Sequence, residues 1–246
     1  MFDLLRSRKR ATPPRLPDGV RVYAIGDIHG RADLLAEMFA VIDADLARHP
    51  PPCAIEVFLG DYIDRGPHSS LTLDLLVERS QRRDTVFLKG NHEAYFLELL
   101  NDPAKFGSWQ QFGGLQTLMS YGIHPPLNPS SQERSELIAR LKEAIPQQHL
   151  TFLKGLKPFF VCGDFFFVHA GVRPGIPLAE QQEADLLWIR NEFLDSEENF
   201  GKFIVHGHTP VRQPDIRSNR INVDTGAYAT NNLTLLTIQG ASMLAV

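Results

Sequence analysis

Thiols are almost missing from this chain. Its 246 residues include only Cys53 and Cys162, far apart and in no Cys-x-x-Cys pair. That excludes a disulfide-stapled scaffold and a structural zinc site, and makes a reducing cytoplasm the expected setting. No apolar run approaches the roughly 18 residues that a membrane-spanning helix needs. The N-terminus lacks a signal peptide's apolar core and carries Arg6, Arg8, Lys9, Arg10 and Arg15 instead. Strong charge of one sign is also lacking. A net charge of −4 gives no electrostatic case for nucleic acid or an anionic membrane, so neither is expected as a partner. Low-complexity tracts and solenoid periods are absent. A composition of 43% hydrophobic and 22% charged residues is that of a soluble globule able to bury a full core.

What is present is one local pattern used six times: a short apolar run, then glycine beside Asp, Asn or His. Ala54–Leu59 leads into Gly60-Asp61-Tyr62-Ile63-Asp64-Arg65-Gly66, and Val20–Ile25 into Gly26-Asp27-Ile28-His29-Gly30. Thr85–Lys89 leads into Gly90-Asn91-His92-Glu93, and Phe165–Val168 into His169-Ala170-Gly171. Lys202–Val205 leads into His206-Gly207-His208-Thr209-Pro210, and Arg220–Val223 into Asp224-Thr225-Gly226. One strand followed by Gly-Asp is ordinary turn chemistry, but turns have no special call for histidine. Functional residues of α/β sheets gather at the carboxyl ends of strands, so these tips are expected to share one crevice.

The rest of the chain is arranged around them. Residues 1–18, with Pro13, Pro14 and Pro17, read as a flexible basic arm outside the fold. Residues 19–246 read as one catalytic domain. A helix from Arg31 to Ile42 is expected to turn Leu34, Leu35, Met38, Val41 and Ile42 inward. A second, Ser69 to Arg79, is expected to turn in Leu71, Leu75 and Leu76. Strand–helix alternation predicts an α/β fold with a parallel-rich sheet. About residues 94–158 the pattern becomes helical, including a helix from Ser131 to Ile145 with Ser135 or a polar neighbour as cap. This segment is expected to sit over the crevice as a cap. His49, His68, His124 and His149 fall outside the pattern and read as surface or packing residues.

The tips supply Asp27, His29, Asp61, Asn91, His169 and His206 or His208. Carboxylate, carboxamide and imidazole without thiolate suit borderline-to-hard divalent metals such as manganese, iron or zinc. Six donors exceed what one open catalytic metal needs, and suit two metals sharing a bridging carboxylate, for which Asp61 on the central tip is the natural choice. Such a pair points to hydrolysis of a phosphate ester.

The ordered set Gly-Asp-x-His-Gly, Gly-Asp-x-x-Asp-Arg-Gly, Gly-Asn-His-Glu, His-Ala-Gly and Gly-His-Thr-Pro resembles the phosphoprotein phosphatase family of binuclear metallophosphoesterases. It is most similar to the compact bacterial and phage serine/threonine phosphatases. The resemblance runs from about residue 20 to 238 and implies a calcineurin-like fold, a β-sandwich of two mixed sheets flanked by helices. It implies two divalent ions, foremost Mn²⁺ with iron or zinc as alternatives. Asp27, His29 and Asp61 would hold one, and Asn91, His169 and His208 would complete the other. His206 would then lie behind the ligands or simply pack. By the same likeness His92 is the general acid oriented by Asp64, and Arg65 and Arg190 bind phosphate oxygens. The implied activity is removal of phosphate from phosphoserine and phosphothreonine of proteins by attack of a metal-bridging hydroxide. A symmetrical dinucleotide polyphosphate hydrolase, or a phosphatase for phosphotyrosine or small esters, is the alternative. Bacterial relatives often carry Asn before the paired glycines of the helical segment, where this chain has Phe112. Neither the substrate protein nor the oligomeric state is readable.

Overall fold

The computed structural model describes residues 12–246. Its first part alternates strand and helix: β1 (Val20–Ile25), α1 (Ala32–Arg48), β2 (Cys53–Phe58), α2 (Ser69–Ser80) and β3 (Thr85–Phe87). Five helices follow: α3 (Asn91–Leu99), α4 (Phe106–Gln111), α5 (Gly114–Ser120), α6 (Ser131–Ala144) and α7 (Gln147–Lys154). Strands return as β4 (Phe159–Cys162) and β5 (Phe165–Val168), then α8 (Glu183–Trp188) and α9 (Asn191–Leu194). The chain closes with β6 (Phe203–His206), β7 (Asp215–Ile216), β8 (Arg220–Asn222), α10 (Ala227–Thr230), β9 (Leu235–Gln239) and β10 (Ser242–Ala245).

The strands form two mixed five-stranded sheets, in the orders β10-β9-β1-β2-β3 and β4-β5-β6-β8-β7. β1, β2 and β3 run parallel, with Ile25 opposite Phe58 and Phe58 opposite Phe87, so their carboxyl ends finish level. β5, β6 and β8 are parallel in the second sheet and do the same. Alternate residues face opposite ways along each strand. Val22, Ala24 and Val57 therefore meet Phe165, Phe167, Val205 and Ile221 between the sheets. Tyr23, Ile25 and Phe58 point outward beneath α1 and α2. Burial on both faces is why these strands read as unbroken apolar runs. The expected two-sheet sandwich flanked by helices is the observed architecture.

Four expectations change. The helices of residues 94–158 are a packing layer on the first sheet, since Phe96, Trp109, Leu118, Leu141 and Leu153 share one core with Ile25, Phe58 and Leu35. The part of this layer that reaches the crevice is α4, α5 and the turn between them, where the Arg65 N–H donates to the Gly113 carbonyl at 3.0 Å and Trp109 and Thr117 reach Asp64. In α2 Leu76 is buried and Leu75 packs against the same core as expected, but Leu71 is half exposed, and Ser69, Thr72 and Leu73 complete the inward stripe. Val41 of α1 is likewise partly exposed while Ile42 is buried. The cap of α6 is Ser130, which accepts from the Glu133 N–H while Glu133 accepts from its own, and Ser135 only bonds back to the Ser131 carbonyl.

Part of the expected arm also belongs to the fold. Arg6, Arg8, Lys9 and Arg10 lie outside the described residues, but Arg15 and Leu16 belong to the fold. Leu16 enters the inter-sheet core at 2% exposure, and its N–H donates to the Gly240 carbonyl at 2.9 Å. Arg15 donates its N–H to the Asp164 carboxylate at 3.0 Å and accepts from the Asp164 N–H at 2.9 Å. One leucine between prolines was enough to bridge the two sheets. No helix among the described residues is long and apolar enough to cross a membrane.

Leu16→Ala is expected to lower the unfolding free energy by about 2–4 kcal/mol, the usual cost of emptying a fully buried leucine site. Urea denaturation measures this, and a cost near zero would return Leu16 to a loose arm.

Candidate active site

All six strand tips open on the same end of the sandwich. Asp27, His29, Asp61, Asp64, Asn91, His92, His169, His208 and Asp224 are each buried there. Among the described residues, six non-glycine residues have positive φ, and five of them are His29, Asp61, Asp64, Arg65 and His208. Left-handed backbone at non-glycine residues is strained and persists only where its surroundings impose it. Here the surroundings are interlocked loops. The Ile28 and His29 N–H groups donate to the Asp61 carbonyl at 3.1 and 2.8 Å, and Gly30 donates to Tyr62 at 2.8 Å. Gly90 lies so close to Asp61 that an added Cβ would come within 2.2 Å of its carboxylate.

The side chains form two groups of metal-ligand type sharing Asp61: His29, Asp61 and His92, and Asp61, His169 and His208. One Asp61 oxygen lies 3.5 Å from His29 Nε2, the other 3.4 Å from His169 Nε2. Asp27 sits behind, its carboxylate accepting from the His208 N–H at 3.0 Å. Asn91 Oδ1 lies 2.9 Å from both His169 Nε2 and His208 Nδ1.

These residues fit a bound metal pair on the chemistry of their atoms. His169 places Nδ1 2.9 Å from the Leu59 carbonyl, and His29 places Nδ1 2.9 Å from the Ile63 carbonyl. A carbonyl needs a donor, so Nδ1 carries the proton in each and Nε2 presents a bare lone pair to the centre. The bare Nε2 of His169 then faces the Asn91 carbonyl oxygen, an acceptor against an acceptor, which a cation between them reconciles.

Charge says the same. Burial and the neighbouring carboxylates of Asp224 and Asp61 push the Asp27 pKa well above its usual range, and burial raises Asp224 to about 6. Burial opposes ionisation of Asp61 too, but His169, His92, His29 and His208 together hold its pKa far below normal. Burial, reinforced by His92, lowers His29, and burial lowers His169, while burial and His169 bring His208 down to about 2. Neutral imidazoles around crowded carboxylates are what divalent cations bind.

His92 stands apart in role. Its Nδ1 is 2.7 Å from Asp64 Oδ2, and its Nε2 faces the centre. Burial works against its protonation, but Asp61 and Asp64 outweigh it and raise its pKa. Arg65 reaches His92 Nε2 at 3.3 Å and lies over the Tyr228 ring at 4.8 Å. Arg190 is exposed beside the second half, donating to Thr209 Oγ1 at 3.3 Å. His206, two residues after Ile204, shares its outward face and packs on Phe193, away from the ligands.

The structure therefore assembles every expected site residue in one crevice, and adds some. Glu93 accepts from the N–H groups of Asp61, Tyr62, Ile63 and Gly90 at 2.8–3.3 Å. Thr117 and Trp109 both donate to Asp64. Asp224 was visible as a sixth strand tip, and Glu93 as the last letter of Gly-Asn-His-Glu. Thr117 and Trp109 carry no local signal.

A family model described as calcineurin-like phosphoesterase matches residues 20–238. A bis(5'-nucleosyl)-tetraphosphatase PrpE [asymmetrical] of Halalkalibacterium halodurans is 27% identical over 86% of this chain and 87% of its own. One of the same name from Bacillus cereus is 27% identical over 85% and 87%. The chain superposes on a solved putative diadenosine tetraphosphatase with a TM-score of 0.64 at 20% identity, covering 92% of both chains. It superposes on a cold-active protein-tyrosine phosphatase of a Shewanella species with a TM-score of 0.55 at 15% identity, covering 94% and 80%. Those two likenesses establish the fold. The names of the curated relatives match neither the phosphoprotein expectation nor the symmetrical alternative.

Glu93→Gln turns one carboxylate oxygen, which accepts two backbone N–H groups, into an amide NH2 that faces them as a donor. The protein is expected to lose about 1–3 kcal/mol of stability through the unpaired N–H left behind. Chemical denaturation of the metal-free protein checks this, and unchanged stability would remove Glu93 from the organisation of the site.

Proposed function

Because the chain belongs to the calcineurin-like phosphoesterase family, whose model matches residues 20–238, we propose that it cleaves dinucleoside tetraphosphates asymmetrically, to a nucleoside monophosphate and a triphosphate. The observation that carries this reading is the match to two curated relatives named for that activity, over 85–86% of this chain and 87% of each relative. The geometry supports it with cationic groups on both sides of the centre, Arg65 beside His92 and Arg190 beside Thr209. An extended polyanion gains a guanidinium partner in either direction.

Two ions are the complement this site would hold, manganese foremost and iron or zinc as alternatives, since the donors include no thiolate. Asp27, His29 and Asp61 would hold one, and Asp61, Asn91, His169 and His208 the other. When bound, the ions lower the pKa of a water molecule and neutralise phosphoryl charge. This chain's own groups do the rest. Arg65 and Arg190 orient the phosphates. A water oxygen bonds to phosphorus as the bond from that phosphorus to its bridging oxygen breaks. His92 Nε2 delivers a proton to the departing oxygen, with Nδ1 held by Asp64.

A second reading, hydrolysis of phosphoserine or phosphothreonine in proteins, is favoured by one observation, the 2.7 Å His92–Asp64 pair. A proton donor matters most when an alkoxide departs and least when a phosphate anion does.

Purified protein is expected to carry close to two divalent ions per chain, the stoichiometry of a two-metal phosphohydrolase. Asp61→Asn is expected to lose most of that metal while keeping its fold. Elemental analysis decides it, and full occupancy in Asp61→Asn would remove the bridge.

With diadenosine tetraphosphate, chromatography is expected to show monophosphate and triphosphate. Two diphosphates would mean symmetrical cleavage, and turnover of phosphopeptides alone would establish the second reading. His92→Asn separates the two chemically. A loss of about 10²–10⁴-fold in kcat is expected on a phosphoserine peptide, and a smaller one on the dinucleotide, whose departing group is already a stable anion. Equal losses with the metals retained would make His92 a positioning group instead.

A further inference from the structure

Phe112 is a large apolar side chain left 39% exposed beside the proton donor. It closes α4, with its N–H donating to the Ser108 and Trp109 carbonyls at 3.2 and 3.1 Å. Its ring meets the His92 imidazole edge-on, with centroids 6.3 Å apart, and packs on Tyr95 at 5.6 Å. The next residue, Gly113, has φ of +90°, and a Cβ there would come within 2.8 Å of the Arg65 backbone nitrogen. The backbone of α4 is thus pinned against the catalytic loop, which leaves Phe112 little freedom to withdraw. Across Arg65 stands the Tyr228 ring, itself 38% exposed and in edge contact with His29 at 5.4 Å. α10, which carries Tyr228, is braced by Arg31, which donates to the Ala227 carbonyl at 2.9 Å and to the Asn231 side chain at 2.6 Å. The Phe112 ring on one side, and the Arg65 guanidinium with the Tyr228 ring beneath it, therefore line the wall around His92.

We infer that this wall is a subsite for a planar aromatic ring on the leaving group, with Phe112 as its stacking surface. The inference rests on the substrate reading above: in a dinucleoside tetraphosphate the ring is the nucleobase of the departing nucleotide. It also fixes which nucleotide departs. His92 protonates the oxygen that leaves, so a base near Phe112 must belong to a group only one phosphate long. A departing triphosphate would carry its base two phosphates further from the imidazole. The water oxygen thus bonds to the second phosphorus, counted from the departing nucleoside. The bond from that phosphorus to the bridging oxygen breaks. The bridging oxygen leaves with the monophosphate and takes its proton from His92, and the water oxygen ends in the triphosphate.

Turnover in ¹⁸O-labelled water tests the direction. Mass spectrometry is expected to find the label in the nucleoside triphosphate, and label in the monophosphate overturns the assignment of the departing group. Phe112→Leu and Phe112→Tyr test the ring. Stacking of a base on an aromatic side chain is worth about a tenfold change in binding. Phe112→Leu is therefore expected to raise KM for diadenosine tetraphosphate about tenfold with kcat little changed, and Phe112→Tyr to restore it. The control is inorganic tetraphosphate, which has no ring, and the Leu variant is expected to affect it less than the dinucleotide. Equal effects on both overturn the ring site. If the wild-type protein cleaves only phosphopeptides, the substrate reading has failed. The ring site then stands only if Phe112→Leu penalises a phosphotyrosine peptide more than a phosphoserine one.

Discussion

One buried carboxylate ties the catalytic loops to the helix that follows them. Glu93, at the start of α3, receives the N–H groups of Gly90, Asp61, Tyr62 and Ile63. Three of those donors come from the loop after β2, so a residue of one connection satisfies the backbone of its neighbour. Without it, several N–H groups would lie buried with no partner, each costing on the order of 1–3 kcal/mol. The loop after β2 in turn holds the loop after β1, through the Asp61 and Tyr62 carbonyls that accept from Ile28, His29 and Gly30. The first three strand tips thus form one hydrogen-bonded unit.

That unit explains how the strained residues persist. His29, Asp61, Asp64 and Arg65 all have positive φ, a conformation that each would leave if its loop were free. Extended backbone would alternate side chains between the two faces of a sheet. Left-handed turns instead bring Asp61 to face His29 and His169 together. The strain is the geometric condition for one carboxylate to serve both halves of the centre. Burial then acts electrically, keeping the His29, His169 and His208 imidazoles neutral and crowding Asp27 and Asp224 against Asp61, so the pocket is poised for cations.

How much of this the sequence revealed follows from the range of each interaction. The strand tips are local: an apolar run, a glycine and a ligand-type residue lie within a few positions, and Asp27, His29, Asp61, Asn91, His169 and His208 are all buried at one end of the sandwich. The choice of His208 over His206 is not local: the residues left both open and only the family resemblance separated them, whereas in the fold strand alternation turns His206 outward onto Phe193 and His208 lies against Asn91. Leu16 was not legible, because its partners in β9–β10 and the second sheet lie far along the chain. The position of the helical segment was hidden for the same reason. Amphipathic helices report that they cover something, and the first sheet's outer face, which they do cover, is not marked in their own sequence. Leu71 of α2 is a different case: it is apolar yet half exposed, and the buried stripe is completed by Ser69 and Thr72, which hydrophobicity alone passes over.

Thr117 shows why the helical layer matters to the chemistry even though it is no lid. Its hydroxyl donates to Asp64 Oδ1 at 2.6 Å and accepts from the Asp64 N–H at 2.9 Å, while Trp109 Nε1 donates to Asp64 Oδ2 at 3.2 Å. Asp64 then has a fixed orientation from which to hold His92 Nδ1 at 2.7 Å. The two functions of the site consequently rest on different parts of the fold. Tips from both sheets bring together groups able to hold metal ions, and α4 and α5 fix the orientation of His92 through Asp64. Because Trp109 and Thr117 sit at either side of the turn that carries Phe112 and Gly113, the same short segment orients His92 and places the Phe112 ring beside it. On the chemistry proposed above, orientation of the acid and selection of its leaving group would be coupled through one turn.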